Sequence, residues 1–207
     1  EEMRLLLPDL EKIVLMSDHR YVSAQVRCQM RKVCEQYFPD LEVAYFTEGE
    51  YSLDQVLDSI ESFDIQKVGL LYYSWFQRKN LAGNKYLTSN NHKTICSFDN
   101  HPIFTLEDVG MADGEMAGGY FYRGKDFAHT VMRTLRDVLN GKDPKTIPVQ
   151  IAGKPECYLS YPILQKAGIP ESLYPDDANY LFAPESFWEK TRYMWIVIVV
   201  LLFITPS

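Results

Sequence analysis

The chain has 207 residues, with 28 Asp and Glu against 21 Lys and Arg for a formal net charge of -7. No basic block offsets that excess, which argues against nucleic acid or an anionic membrane surface as the main partner. Hydrophobic residues make up 46% and charged residues 24%, a globular balance that excludes wholesale disorder and allows one sizeable core or two small lobes.

The four cysteines, Cys28, Cys34, Cys96 and Cys157, are too sparse for a disulfide scaffold and lack CxxC metal spacing. Buried free thiols are the expected reading, and the redox compartment stays open. The sequence starts without an initiator methionine, a signal peptide or an early apolar span, so the natural chain is expected to begin upstream.

In chain order, residues 13–16 (IVLM) form an unbroken apolar run suited to a parallel strand covered on both faces. Asp18 and His19 fall at its carboxyl end. Val26, Met30, Val33 and Tyr37 recur at helical spacing over residues 23–38, and Pro39-Asp40 stops that helix. A second strand is predicted at 42–46. Ser52 with Gln55 has the form of a capping box, and Leu53, Val56, Leu57, Ile60 and Phe63 make the inner stripe of the next helix. Residues 67–73 read as a third strand, 80–91 as a helix, 94–98 as a fourth strand and 102–104 as the start of a fifth element.

Residues 107–122 read as a Gly- and Met-rich loop passing through Gly118-Gly119 into a short aromatic strand at 120–122. The glycine pair marks either a turn, which is favoured, or a close backbone approach. Phe127, Val131, Leu135 and Val138 line one face of the clearest helix, and Asn140-Gly141 supplies its left-handed stop. An edge strand is expected at 147–151, a short helix at 158–166 and a turn-rich linker at 170–184.

Strands alternating with helices predict right-handed crossovers, hence an α/β fold with an open parallel sheet and helices on both faces. Ligands of such sheets lie beyond the carboxyl ends of the strands. The third strand is expected on the opposite side of the first from the fourth. Asp18 and Tyr21 follow the first strand and Ser74 and Trp75 the third, so these four are the predicted ligand site. There Asp18 takes an amine, and Tyr21, Tyr51, Tyr73 and Trp75 offer aromatic walls. The competing reading lodges Trp75 in the core and makes Asp18 a helix cap.

No catalytic constellation is present in the sequence. His19, His92, His101 and His129 fall in separate elements without HxH or HExxH spacing, so no metal site is predicted. There is no GxSxG elbow, and residues 110–114 (GMADG) lack the lysine and hydroxyl of a phosphate loop. No catalytic residue and no cofactor are expected.

Residues 193–204 are uncharged and apolar, preceded by Lys190 and Arg192, with Tyr193 and Trp195 at the start. That order suits a helix passing from water into hydrocarbon. The run is shorter than the roughly 20 residues of a full span, so the reading is a truncated transmembrane helix. A core element is the alternative, favoured by the β-branched residues at 196–200.

Residues 118–128 (GGYFYRGKDFA), the helix exit at 139–149 (LNGKDPKTIPV) and residues 158–170 (YLSYPILQKAGIP) come in an order that resembles the ABC-transporter substrate-binding-protein-like family, of type 1 periplasmic binding fold. The similarity spans most of residues 10–175. It implies one lobe of a pair that closes on a small solute, often an amino acid. Residues 10–110 would form the ligand-binding lobe, 111–184 a return segment toward a missing first lobe, and 185–207 a linker and truncated membrane helix. The apolar tail departs from a free binding protein. It looks like the sensory domain of a membrane receptor such as a two-component sensor histidine kinase, in the inner membrane, facing the periplasm and homodimeric in the parent. Any kinase activity would belong to the parent alone. The alternative is the solute-binding component of an ABC importer.

Overall fold

The computed structural model describes residues 1–78, 86–87 and 91–184, with backbone alone for 77–78 and 86–87. After a short helix α1 (Glu2–Leu6), strand β1 (Lys12–Ser17) leads into α2 (Tyr21–Tyr37), β2 (Glu42–Thr47), α3 (Leu53–Ser62) and β3 (Val68–Tyr72). These five elements from β1 onward lie where the sequence places them. The predicted stripe of α2 is only half right. Its inner row is Ser23, Val26, Arg27, Met30 and Cys34, whereas Val33 and Tyr37 are exposed.

At α3 the capping box is present in both directions. Ser52 Oγ accepts from the Gln55 N–H at 3.2 Å and Gln55 Oε1 accepts from the Ser52 N–H at 2.9 Å. Two of the free N–H groups at that helix end are thereby satisfied. A Ser52→Ala variant is expected to lose about 1 kcal/mol in urea unfolding. An unchanged midpoint would show that the box contributes nothing.

Beyond β3 the sequence reading needs correction. Of the stretch predicted as a helix at 80–91, Tyr86–Leu87 forms a strand, β5, paired antiparallel with β4 (Gln77–Arg78). The predicted strand at 94–98 lies inside helix α4 (Asn91–Phe98). Its β-branched Thr94 and Ile95 suggest a strand, but His92, Ile95 and Cys96 share one helical face. His92 lies against the Tyr72 ring, Ile95 is fully buried and Cys96 Sγ is 3.5 Å from Met116 Sδ. The fourth strand of the main sheet is therefore β6 (Ile103–Thr105).

The chain continues through β7 (Gly118–Phe121), α5 (Gly124–Leu139), β8 (Glu156–Ser160), α6 (Tyr161–Lys166) and β9 (Asn179–Leu181). Residues 147–151 form no strand; a 3-10 turn at Pro144–Thr146 precedes them, and Val149 and Ile151 stand in solvent. The helix expected from residue 158 begins at Tyr161, because residues 158–160 finish β8. The stretch read as a linker at 170–184 contains β9. The helix stop at Asn140-Gly141 is as expected, with Gly141 at φ +94.

The seven strands run in the order β2-β1-β3-β6-β7-β8-β9. All neighbours are parallel except β7 and β8, so β8 and β9 point opposite to the rest. Strand β3 thus lies between β1 and β6, on the same side of β1 as the fourth strand, which corrects the expected order. Gly118 and Gly119 mark a close approach rather than a turn. A Cβ on Gly118 would meet Tyr158 O at 2.2 Å, and one on Gly119 would meet Thr105 O at 2.0 Å.

Both faces of this α/β sheet are covered, and the period-two alternation of the strands shows it. Val14, Met16, Leu70, Tyr72 and Ile103 belong to one core with Val56, Leu57 and Ile60 of α3 and Ile95 of α4. Phe104 belongs to the other, with Leu6 and Leu7, Leu41 and Leu164 of α6, and Ile13 and Leu71 pack against it. Cys34 and Cys157 are buried as expected, Cys96 is half-buried and Cys28 is exposed; all four thiols are free.

Helix α5 is the exception. None of its residues is buried, and Phe127, Val131, Leu135 and Leu139 are all exposed. The apolar run at 193–204 lies outside the described residues. Among the described residues no helix is long and apolar enough to cross a membrane.

Candidate ligand-binding edge

Strand order fixes where a site can form. The chain leaves β1 for β2 on one side and then returns to β3 on the other, so the connections diverge at the carboxyl ends of β1 and β3. Open α/β sheets place their ligand crevice at such a point.

Asp18, just past the carboxyl end of β1, has no exposed surface. Its Oδ1 accepts from the Arg20 N–H at 3.0 Å and from Ser23 Oγ at 2.6 Å, and its Oδ2 accepts from Arg20 Nε at 2.8 Å. Ser23 Oγ lies 3.1 Å from Ser74 Oγ, joining the ends of β1 and β3. Arg27 Nη1 donates to Ser17 Oγ at 2.8 Å and to the Asp18 carbonyl at 2.7 Å. Burial works to raise the Asp18 pKa, but the bonds from Ser23, the Arg20 backbone and Ser74, with the Arg20 charge, together hold it below the usual carboxylate value. Asp18 is thus an ionised anchor whose oxygens are already engaged.

Above it, the Arg20 guanidinium lies 3.7 Å from the centroid of the Phe76 ring. Glu107 follows β6, within reach of the Arg20 charge. Burial and the neighbouring Asp108 charge push the Glu107 carboxyl up, and Arg20 opposes them. Tyr73 follows β3; burial first, and then the Glu107 charge, raise its phenol. Farther along the same edge a cleft of about 490 Å³ opens between β6 and β7, walled by Glu107, Asp108, Tyr122, Arg123 and Phe127. Asp108 Oδ2 accepts from the Gly124 N–H at 2.6 Å, which ties that bank to the start of α5.

Of the four residues singled out from the sequence, Asp18 and Ser74 come together through Ser23. Tyr21 opens α2 with 78% of its surface exposed, at the rim. Trp75 is 1% exposed and packs in the core with Met111 and Met116, which is the competing reading for that residue. Sequence reasoning passed over Arg20, Ser23, Phe76 and Glu107. Arg20 and Phe76 stand directly beside residues that it chose. Glu107 has no such signal, because the strand-like side chains at 94–98 point to a fourth strand there rather than at β6.

No protein-family model matches the sequence, and no curated protein matches it. Solved structures do. A ligand-free, open substrate-binding protein with adhesive properties from Clostridium difficile is similar at TM-score 0.56 and 13% identity, over 88% of this chain and 58% of that one. An ABC domain from Streptococcus pneumonia, solved in complex with L-Trp, is similar at TM-score 0.58 and 15% identity, over 86% and 58%. A conserved domain protein from Vibrio cholerae is similar at TM-score 0.54 and 13% identity, over 86% and 57%. At these identities the likeness is one of fold, that of periplasmic-binding-like proteins. The chain spans less than three fifths of the length of each of these structures.

Proposed function

We propose that this chain is a small-solute-binding lobe of a hinged receptor, held at the membrane by its C-terminal segment and facing the periplasm. Its output would be a signalling domain such as a histidine kinase, and the parent a homodimer. The observation that carries the binding reading is the built carboxyl edge, where Asp18 anchors Arg20 beside Phe76, Tyr73 and Glu107. The fold likeness to substrate-binding proteins supports it. The uncharged run at 193–204, with its aromatic start, supports the anchor.

In this reading β7, β8 and β9 complete the sheet of this lobe, and the bare face of α5 is what a second lobe covers. Phe127, Val131, Leu135 and Val138, with Ile147 and Pro148 opposite, border an open groove of about 440 Å³. An apolar surface of that kind marks a contact. Residues 1–190 alone are expected to raise ANS fluorescence several-fold, and Leu135→Glu to suppress most of that signal. A protein without dye binding would remove the argument for a second lobe.

The binding test is a thermal-shift screen of the full-length protein against amino acids and related solutes, followed by titration calorimetry. A saturable, stabilising solute is expected, and silence across the screen would sink the reading. An importer component is the second reading, favoured by the substrate-binding neighbours. A deletion strain separates the two: loss of solute uptake supports the importer, and loss of a transcriptional response with uptake intact supports the receptor.

A further inference from the structure

We propose that Arg20 is the receptor for a carboxylate of the solute, so that the ligand of this edge is a monocarboxylate or the acid end of a zwitterion. The assignment rests on the solute-binding reading above and specifies its chemistry.

Three observations converge on this side chain. Asp18 grips the residue twice, through the backbone N–H at 3.0 Å and through Nε at 2.8 Å, and the Phe76 ring covers one face of the guanidinium. The plane of the group is therefore set before any ligand arrives. Among the described residues neither Nη has a hydrogen-bond partner, and 46% of the side chain is exposed. A guanidinium fixed at Nε and along one face presents its two Nη groups as a fork, whose spacing matches the two oxygens of a carboxylate. Pre-organisation removes most of the side-chain ordering cost that an Arg–carboxylate contact otherwise carries.

Asp18 itself does not meet a solute amine here. It is enclosed, and three donors already hold its oxygens. A cation on the solute has a different partner available. Glu107 follows β6, the Arg20 charge acts on it, and among the described residues its carboxylate makes no ion pair or hydrogen bond. Asp108 beside it is engaged by the Gly124 N–H. The two acids disfavour a second negative charge on the solute, which separates a monocarboxylate or zwitterion from a dicarboxylate or a phosphate. The first turn of α2 starts at Tyr21 with no side-chain cap, so its dipole adds to the same polarity.

The test uses the full-length protein and matched probes. The twenty L-amino acids are titrated beside their carboxamides, which keep the ammonium and lose the carboxylate. Benzoate and phenylacetate are titrated beside benzamide and phenylacetamide. The acid of the best pair is expected to bind about 30-fold more tightly than its amide. Arg20→Gln should abolish that preference. Arg20→Lys keeps a cation beside Asp18, and so the fold, yet should weaken the acid by about 10-fold because the fork is gone. Amides that bind as tightly as acids, or an Arg20→Lys protein with wild-type affinity and preference, would overturn the assignment and leave solute binding standing. Silence of the wild-type protein toward both series overturns the assignment and the solute-binding reading together.

Discussion

Gly118→Ala is expected to cost about 3 kcal/mol, a loss produced by backbone crowding at the seam between β7 and β8. At Gly118 φ is +145, and an added Cβ would fall 2.2 Å from the Tyr158 carbonyl oxygen and 2.9 Å from Leu159 Cα. Neither atom can rotate away as a side-chain tip would. The seam also joins the antiparallel strands to the rest of the sheet, so relief by shifting β8 would loosen the pairing of Gly118 with Leu159. Urea unfolding should show the drop at nearly constant m-value. Gly141→Ala is the control, because φ is +94 there but nothing lies within 4 Å of the new methyl. Its cost should be near 1 kcal/mol. Equal, small losses at both sites would show that the seam tolerates a side chain.

Asp18→Asn should be comparable, at about 3 kcal/mol, because it removes the buried charge that accepts from Arg20 and Ser23 while keeping its shape. The amide nitrogen would face a donor, Arg20 Nε or Ser23 Oγ, where an acceptor is needed. Charge also gives this site a pH dependence of defined sign. The folded-state pKa of Asp18 lies below the ordinary value of 3.8, so the folded state binds its proton less readily than the unfolded chain does. The stabilisation is complete above that ordinary value. It is lost as pH falls through the lowered folded pKa. A series of melts from neutral to acid pH should therefore show wild type and Asp18→Asn converging in stability at the acid end. A constant gap across the series would mean that packing, not ionisation, supports the site.

Much of the first half of the fold was legible in the sequence, and the reasons are local. The apolar run at 13–16 needs cover on both faces, and the capping box at Ser52 and Gln55 is a short-range device. What was not legible depends on partners distant in the chain. Residues 94–98 have strand-like side chains, yet Ile95 and Cys96 fold as helix because Tyr72 and Met116 receive that face. Tyr158 begins no helix, because its backbone pairs with Gly119 and Asn179 on either side. Arg20 shows the same limit at the binding edge. A carboxylate next to a strand end suggests an amine receptor until Ser23 and Arg20 are seen to occupy it.

The reversal of strand direction after β7 sets where the described chain leaves the sheet. Strand β9 is the fifth step across the sheet from β1, which at roughly 4.8 Å per step sets it some 24 Å to the side. It also runs away from the carboxyl edge, so the backbone departs after Leu181 heading toward the opposite end of the sheet. Arg20, at the carboxyl end of β1, and Leu181 therefore lie at well-separated places on the sheet. The intervening strands belong to one sheet, with β6 and β7 joined through the single register pair of Phe104 and Gly118.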